Sequence, residues 1–221
     1  LSLQGPKAPD LMEKISGKWI RDLKFFYFKE TTIDDIPVVI ARSGWSGEVG
    51  YEIYLTDGDK GNKLWAIIME AGAEFKIAPA APSQISRIES GMLSYGNDMT
   101  LDENPFDINM DKFVNLDKKA HFLSKKTLTE IQKNGPTKEL IGIEIPVNSQ
   151  DEYSSDYTPI YFDNEKIGKI TSSVYSPRLK KNIALGIIKK RTESANGSYS
   201  IKKNNADIVI NVCDLPFLRN K

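Results

Sequence analysis

The residues with the clearest chemical potential lie in one glycine-rich stretch, ARSGWSGEVGYEIYL, which spans residues 41–55. Gly44, Gly47 and Gly50 recur at every third position, and Glu48 lies between the last two. Glycines let a backbone bend and allow close approach where a side chain would block it. A carboxylate accepts two parallel hydrogen bonds, which suits a flat ligand whose edge bears adjacent N–H donors. The spacing leaves two interpretations open, a ligand-binding carboxylate and a solvent-facing turn residue.

A second group of polar residues lies on and after a helix predicted in SQISRIESG. Ser83 is a candidate N-cap and Gly91 a candidate stop, and Arg87 lies almost opposite the apolar stripe of this helix. An arginine there is usually solvated, but if another element covers that side, its guanidinium suits a carboxylate or carbonyl of a ligand. In the following loop, Tyr95 is a candidate pocket wall and Asp98 a loop-shaping residue, for which we favour an Asx turn.

The remaining candidates for chemistry are weaker. The chain has no P-loop, no G-x-G-x-x-G that opens a helix, no H-E-x-x-H and no G-x-S-x-G. His121, the single histidine, lies among lysines and is predicted to be solvated, and Cys213 is predicted to be a small buried packing residue. With one cysteine and one histidine, we expect no metal site. The basic tract SPRLKKN, residues 176–182, has two interpretations, an anion grip and a solvated hairpin loop; the absence of interleaved aromatics favours the loop.

Composition excludes several classes of protein. The chain has 221 residues, 40% of them hydrophobic, and its 30 basic residues cancel its 30 acidic ones. There is no net field to gather nucleic acid or an anionic membrane surface. A single cysteine favours a reducing compartment and a cytoplasmic location. The first residues, LSLQGPKAPD, lack the features of a signal peptide, and because the chain begins at Leu1 inside a predicted strand, we expect it to be the C-terminal part of a longer protein.

The elements that position the glycine-rich stretch are predicted to form a sheet with helices. LSLQG is a strand, DLMEKISG a short helix, and DLKFFYFKET with IPVVIAR a hairpin around TIDD. The strand YEIYL then directs Tyr51, Ile53 and Leu55 to one face and Glu52 and Tyr54 to the other. An amphipathic helix follows over residues 61–72.

The chain changes character after the helix SKKTLTEIQKNG, which ends at Gly135. From there on strands dominate, and their spacing predicts a small antiparallel barrel or sandwich of about 85 residues. We therefore divide the chain into residues 1–135 and residues 136–221. The predicted class is α+β.

Three separated tracts together resemble one family. RSGWSGEVGYEI resembles the R-T/S-G-Y/W-S/T-G-E-x-G-Y/F-E-I signature of the aminomethyltransferase family, the glycine cleavage T-protein and its relatives. RIESGMLSYGNDMTLDENPF is similar to that family's R-L/I-E-A/S-G-x-x-x-Y-G-x-D segment, and GKITSSVYSPRLKKNIALGII resembles the strand pair of its C-terminal barrel. The resemblance implies an antiparallel-sheet folate-binding domain with helices, followed by a small C-terminal antiparallel β-barrel.

The resemblance also implies an activity, the transfer of a one-carbon unit to tetrahydrofolate. By motif position, Glu48 corresponds to the carboxylate that binds the pterin, Arg87 to the arginine that helps to hold the folate, and Tyr95 to a tyrosine that lines the same pocket. The aspartate with the key catalytic role in the family lies upstream of a segment like LSLQGPKA. We therefore expect the catalytic residue before Leu1 and expect this chain alone to be an incomplete enzyme. Orientation and exclusion of water would carry much of the rate.

The resemblance leaves the one-carbon donor open. SYGNDMTLDENPFDINMDKFVNL is more similar to the branch that contains dimethylsulfoniopropionate demethylase than to ordinary T-proteins. That branch moves a methyl group from a sulfonium, whereas T-proteins move an aminomethyl group from a lipoyl carrier. The predicted partner is thus a small-molecule donor or a lipoyl carrier protein.

Two other functions compete with a transferase. The first is a folate-binding module without transferase chemistry, which acts in assembly or regulation. The second is the tail of a flavin-dependent dimethylglycine or sarcosine dehydrogenase, whose last domains resemble this family. The sequence upstream of Leu1 distinguishes the three. A transferase would have the catalytic aspartate there, the folate-binding module would lack it, and the dehydrogenase would have a dinucleotide-binding G-x-G-x-x-G several hundred residues upstream, by family analogy.

Overall fold

The computed structural model describes residues 1–146, 157–190, 197–203 and 206–218. It divides into two compact units, Leu1–Ser86 and Arg87–Lys221. The division at residue 135, which rests on the change from helices to strands, stays a prediction.

The first unit contains a four-stranded antiparallel sheet. Its strands are β1 (Ser2–Gln4), β2 (Phe28–Ile33), β3 (Ile36–Ala41) and β4 (Gly50–Leu55), in the order β1-β4-β3-β2. The predicted hairpin is confirmed: Asp34 and Asp35 connect β2 to β3, and both have positive φ, at 47° and 61°. Two such residues give the turn a twist that matches the strands that it joins.

Two helices pack on one face of this sheet. They are α1 (Ala8–Ser16) and α2 (Gly61–Gly72), and α2 has the bounds that its amphipathic pattern predicts. Leu64 and Ile68 on α2 are buried against the sheet. The core of the unit consists of Ala8, Leu11, Met12, Ile20, Ile33, Ile36, Val38, Ile40, Tyr51, Ile53, Leu64 and Ile68.

The opposite face of the sheet carries polar and aromatic residues together with some small and aliphatic ones. In β4, Tyr51 and Ile53 are buried, so alternation directs Glu52 and Tyr54 to the other side, as predicted. The register pairs Gln4 with Gly50 and Ser2 with Glu52, which places these β1 residues on the same side. By the same alternation and register, that face also carries Phe28, Glu30, Thr32, Pro37, Val39 and Ala41.

The short helix α3 (Gln84–Glu89) has the predicted start and stop. The Ser86 amide donates to Ser83 Oγ at 3.2 Å, which makes Ser83 the N-cap. At the other end, Gly91 has a φ of 65°, its amide donates to the carbonyl of Ile88, and the Met92 amide donates to the carbonyl of Arg87. This pattern is a Schellman motif, which requires a residue that tolerates positive φ.

The second unit contains a seven-stranded antiparallel sheet in the order β10-β9-β6-β7-β8-β5-β11, preceded by helix α4 (Lys125–Asn134). The strands are β5 (Lys138–Ile145), β6 (Pro159–Phe162), β7 (Glu165–Ser176), β8 (Lys181–Lys189), β9 (Tyr199–Lys203), β10 (Ala206–Val209) and β11 (Asn211–Cys213). The α+β class and the strand-rich C-terminal part are therefore confirmed.

Within the described residues, none of the helices has both the length and the apolar character needed to cross a membrane.

Candidate functional site

The glycine-rich turn joins β3 to β4 and exposes Glu48 to solvent. Only one of its three glycines has a left-handed backbone: Gly47, next to Glu48, has a φ of 71°. At this position the glycine supplies a conformation that other residues adopt at a cost. Of the three glycines, Gly47 is thus the one whose backbone conformation requires a glycine.

Gly44 and Gly50 serve a different purpose, since they make room for the side chain of Gln4. A Cβ on Gly44 would lie 2.2 Å from Gln4 Oε1, and a Cβ on Gly50 would lie 2.3 Å from Gln4 Cδ. Both distances are far below van der Waals contact. The close approach that these two glycines permit is therefore occupied by a side chain of the protein itself.

The amide of Gln4 is hydrogen-bonded to two serines of the turn, Ser43 and Ser46. Its Nε2 donates to the carbonyl oxygen of Ser43 at 3.2 Å and to Ser2 Oγ at 3.1 Å. Its Oε1 accepts from Ser46 Oγ at 2.8 Å, and Ser46 Oγ in turn accepts from the backbone N–H of Glu48 at 3.2 Å. Gln4 is therefore connected through one hydroxyl to the backbone of the candidate carboxylate.

Glu52 is a second carboxylate of this site, and sequence reasoning did not single it out. The hydroxyls of Ser43 and Tyr54 both donate to its Oε2, Tyr54 at 3.3 Å. The negative charge of Glu52, with desolvation and this hydrogen bond, raises the pKa of Tyr54. The signal that would have found Glu52 was present, because alternation had already placed Glu52 and Tyr54 together on the face away from the core.

Arg87 is buried, so the interpretation of this residue as solvated is wrong. Its side chain is 1% exposed, and its Nη1 donates to Asp98 Oδ2 at 2.7 Å. Nη1 also donates to the Met92 carbonyl at 3.2 Å, and Nη2 donates to Ser172 Oγ at 2.7 Å. An element does cover this side of α3, namely β7, and the carboxylate that the guanidinium holds belongs to the protein.

Asp98 is the acceptor at the centre of this network, so the Asx-turn interpretation is also wrong. In addition to Arg87, the backbone N–H of Ser94 donates to its Oδ2 at 2.8 Å. The hydroxyls of Thr171 and Ser172 each donate to its Oδ1 at 2.6 Å. A buried carboxylate costs much less free energy when it has this many donors.

A β-bulge allows two adjacent residues of β7 to reach Asp98. Successive side chains of a regular strand point to opposite faces, so Thr171 and Ser172 would ordinarily diverge. The register of β7 against β8 shifts between Ile170 and Ser172. Such a bulge places an extra residue in one strand and re-aims its side chains. Both hydroxyls are thereby directed at the same carboxylate.

Glu89 and the basic tract also form internal ion pairs. Glu89 is 1% exposed, its Oε1 accepts from the Ser176 hydroxyl, and its Oε2 lies 3.3 Å from Arg178 Nε. Lys181 Nζ lies 2.7 Å from Glu144 Oε2. Two of the cations that suggested an anion grip in SPRLKKN thus have carboxylate partners within the chain.

The other candidate residues lie at varied depths. Tyr95, in the loop between Ser94 and Asp98, is 67% exposed, and its role as a pocket wall stays a prediction. His121 is exposed, as expected. Cys213 is half-buried at the end of β11 rather than fully buried, and burial, with the charges of Glu144 and Asp214, raises the pKa of its thiol.

A cavity of about 180 Å³ lies within the second unit. Neither Arg87 nor Tyr95 lines it, and its polar lining includes Asn109 and Lys112. Its apolar lining includes Leu93, Ile108, Met110, Phe113, Leu140 and Leu215.

Two family profiles match the chain. The profile described as "GCVT N-terminal domain" matches residues 1–118, and the profile described as "Glycine cleavage T-protein C-terminal barrel domain" matches residues 138–218. Together they account for most of the chain, in the order that the sequence motifs indicate.

Curated relatives agree with these profiles. The chain is 37% identical to the dimethylsulfoniopropionate demethylase of Ruegeria pomeroyi over 192 residues, which is 85% of this chain and 50% of that protein. It is 32% identical to the aminomethyltransferase of Bacillus mycoides over 222 residues, which is 99% of this chain and 60% of that protein. The chain therefore spans about half to three fifths of the length of these relatives.

A solved structure has the same fold. The glycine cleavage system aminomethyltransferase T from Bartonella henselae superimposes with a TM-score of 0.83 and 25% sequence identity, over 98% of this chain and 58% of that one. With the profile match over more than half of the chain, these similarities show that the chain belongs to the aminomethyltransferase family, that of the glycine cleavage T-protein and its relatives.

Proposed function

We propose that this chain is the folate-binding and C-terminal barrel part of a tetrahydrofolate-dependent one-carbon transferase. The observation that carries the proposal is the turn between β3 and β4. It contains one of the two specific motifs of the family resemblance. It carries Glu48, and in the adjoining strand β4 two hydroxyls hold Glu52. Family membership supports the reaction class, and the turn supports the ligand.

The role of the carboxylates is to accept hydrogen bonds from the aminopyrimidine edge of the pterin. A charge-assisted pair of this kind is among the stronger hydrogen bonds, and its two-pronged geometry fixes the orientation of a flat ring. Motif position assigns this role to Glu48. Glu52 competes for it, because Ser43 and Tyr54 already fix its carboxylate and less conformational entropy is lost on binding.

Arg87 and Tyr95 are connected by a loop, and that loop determines the role that we propose for each. The Arg87 guanidinium is committed to Asp98 and Ser172, and Asp98 also binds the Ser94 amide at the start of the loop. We therefore assign Arg87 a positioning role: it holds the loop that carries Tyr95, which would line the folate pocket. Folate, when bound, supplies the nucleophilic nitrogen, and these residues would orient it.

The donor that we favour is a methyl sulfonium compound of the dimethylsulfoniopropionate class. The identity to the Ruegeria demethylase, 37%, exceeds the 32% identity to the Bacillus aminomethyltransferases. An aminomethyl group on a lipoyl carrier protein is the second candidate, because the aminomethyltransferases match 99% of the chain. A cytoplasmic location belongs to the proposal with either donor.

Turnover by the complete protein tests both the reaction and the donor. Purified protein is incubated with tetrahydrofolate and either dimethylsulfoniopropionate or an aminomethyl-lipoyl carrier, and the folate products are separated by chromatography. We expect methyltetrahydrofolate with the sulfonium donor. Methylenetetrahydrofolate with the lipoyl carrier would replace that donor with the second candidate. Folate binding without product from either donor would favour the non-catalytic folate-binding module.

A further inference from the structure

The side chain of Gln4 contacts the candidate turn at Ser43, Gly44, Ser46 and Gly50, although it lies about 40 residues away in sequence. Gln4 is the last residue of β1, opposite Gly50 in the register of β1 and β4. Its side chain lies on the sheet face that carries Glu52, and its amide lies against Gly44 and Gly50. The turn is therefore built around a glutamine that the glycine motif does not contain.

The contacts of this glutamine lead to both carboxylates. In one direction, Ser46 Oγ donates to Gln4 Oε1 and accepts from the Glu48 amide. In the other, Gln4 Nε2 donates to the carbonyl of Ser43, the residue whose hydroxyl donates to Glu52. One amide thus fixes a serine on each side, and each serine fixes one carboxylate residue.

An amide is the side-chain group that meets these requirements. It presents a donor and an acceptor at the same end, and both are used here. A carboxylate in its place would bring an oxygen against the Ser43 carbonyl, and a thioether of the same length would make neither bond. A side chain at position 44 or 50 would overlap this amide, so the two glycines make room for it.

We propose that Gln4 is a positioning residue for the folate-binding carboxylates, which acts through Ser46 on Glu48 and through Ser43 on Glu52. This inference rests on the proposed function for its ligand, but the geometric part, that Gln4 holds the turn, stands independently. Gln4 contributes no group to the ligand in this role. It raises the affinity because a turn that is already ordered loses less conformational entropy when the ligand binds.

Gln4→Met is the test variant, because methionine has a similar length and retains the packing against Gly44 and Gly50 but loses the polar contacts. The matched control is Gln132→Met, at an exposed position on α4. We expect Gln4→Met to raise the Kd of the complete protein for tetrahydrofolate roughly tenfold, because a turn that Gln4 no longer holds loses more conformational entropy on binding. Gln132→Met is expected to leave the Kd unchanged. Wild-type affinity in a folded Gln4→Met protein would overturn the inference.

Amide hydrogen exchange separates this inference from the proposed function. The Glu48 amide, which donates to Ser46 Oγ, is expected to exchange faster in Gln4→Met than in the wild type, with or without folate. Unchanged exchange would overturn the positioning role even if folate binds. If the wild type binds no folate but the exchange rate rises, the proposed function fails and the positioning of the turn remains. Should Gln4→Met not fold, Gln4→Ala, which also removes the bond to Ser46 but leaves that serine and its bond to the Glu48 amide in place, is measured in the same way.

Discussion

Arg87 and Asp98 form a buried ion pair, with 2.7 Å between Nη1 and Oδ2 and side chains 1% and 0% exposed. The pair connects α3 to the loop that begins at Ser94, and the hydroxyls of β7 complete it. Buried pairs of this kind contribute little when compared with an apolar replacement, but removal of one partner leaves the other charge uncompensated.

Asp98→Asn is therefore expected to lower the free energy of unfolding by about 3–5 kcal/mol, because the Arg87 guanidinium would remain buried without its counter-charge. The measurement is urea denaturation of the complete protein, followed by circular dichroism. Asp102→Asn, at an exposed position of the same loop, is the control and is expected to have little effect. Equal stability of the two variants would contradict the assignment of Asp98 as the centre of the network.

Two adjacent serines of β7 provide a matched pair. Ser172 bonds both Arg87 and Asp98, whereas the buried Oγ of Ser173 has no hydrogen-bond partner among the described residues. Ser172→Ala is expected to cost about 1–3 kcal/mol, since it leaves buried groups unsatisfied, and Ser173→Ala close to zero. Thermal denaturation of both variants measures the difference. A reversed order would mean that the bulge at Thr171 does not direct Ser172 to the pair.

Stability is expected to depend on pH through Glu103 and Lys138. Partial burial raises the pKa of Glu103, but hydrogen bonds from Lys138 and Thr100 outweigh it, and the net pKa is lowered. A carboxyl whose pKa is lowered by folding stabilises the protein above its unfolded pKa and loses that contribution as the pH falls through the folded value. Glu103→Gln is therefore expected to be less stable than the wild type by about 1 kcal/mol at neutral pH, and the gap should close below about pH 4.

The control for this comparison is Glu130→Gln, at an exposed position on α4. Denaturation midpoints of the three proteins between pH 3 and pH 7, a range of about 4 units around the ordinary glutamate pKa, give the comparison. A gap between wild type and Glu103→Gln that stayed constant with pH would show that the carboxylate charge of Glu103 does not stabilise the fold.

Gly44→Ala tests the packing of the turn against Gln4. The new methyl group would displace the end of the flexible Gln4 side chain, and we expect a loss of about 1–2 kcal/mol in stability, chiefly from the hydrogen bonds that the amide makes with Ser43 and Ser46. In a Gln4→Ala background the same substitution is expected to cost much less, so that the two changes couple by about 1 kcal/mol or more. Gly58→Ala, where a Cβ meets no atom within 4 Å, is the control. Additive effects of Gly44→Ala and Gln4→Ala would contradict the contact.

Local sequence patterns predicted most of the fold. The α2 helix, the β2–β3 hairpin and the Ser83 cap each depend on residues within a few positions of one another, and periodicity or turn chemistry identifies such features. The two faces of β4 followed from alternation alone. Cys213 is half-buried rather than fully buried because it ends β11, which pairs with β5 at the edge of the sheet.

The site was less accessible to sequence reasoning, because its contacts span long separations. The hydroxyl that completes the Arg87 pair lies 85 residues away, on Ser172, so the helix pattern indicated only that Arg87 faces away from its own apolar stripe. Gln4 and Ser46 are 42 residues apart, and no local rule connects a strand end to a later turn. Family resemblance supplied the roles of Glu48, Arg87 and Tyr95, and these roles remain proposals.

Single substitutions at the two carboxylates distinguish their roles. If Glu48 accepts the pterin hydrogen bonds, Glu48→Gln should weaken tetrahydrofolate binding by at least about tenfold, since a hydrogen bond to a charged group contributes roughly 1.5–3 kcal/mol. If Glu52 does so, the larger loss follows from Glu52→Gln. Glu70→Gln, at an exposed position on α2, is the control.

The double variant Glu48→Gln with Glu52→Gln tests whether this turn binds folate. Titration calorimetry of tetrahydrofolate into the complete wild-type and doubly substituted proteins gives both dissociation constants, and circular dichroism verifies that the variant is folded. If the turn binds folate, we expect the double variant to bind tetrahydrofolate at least about tenfold more weakly than the wild type. Wild-type affinity in the folded double variant would contradict it.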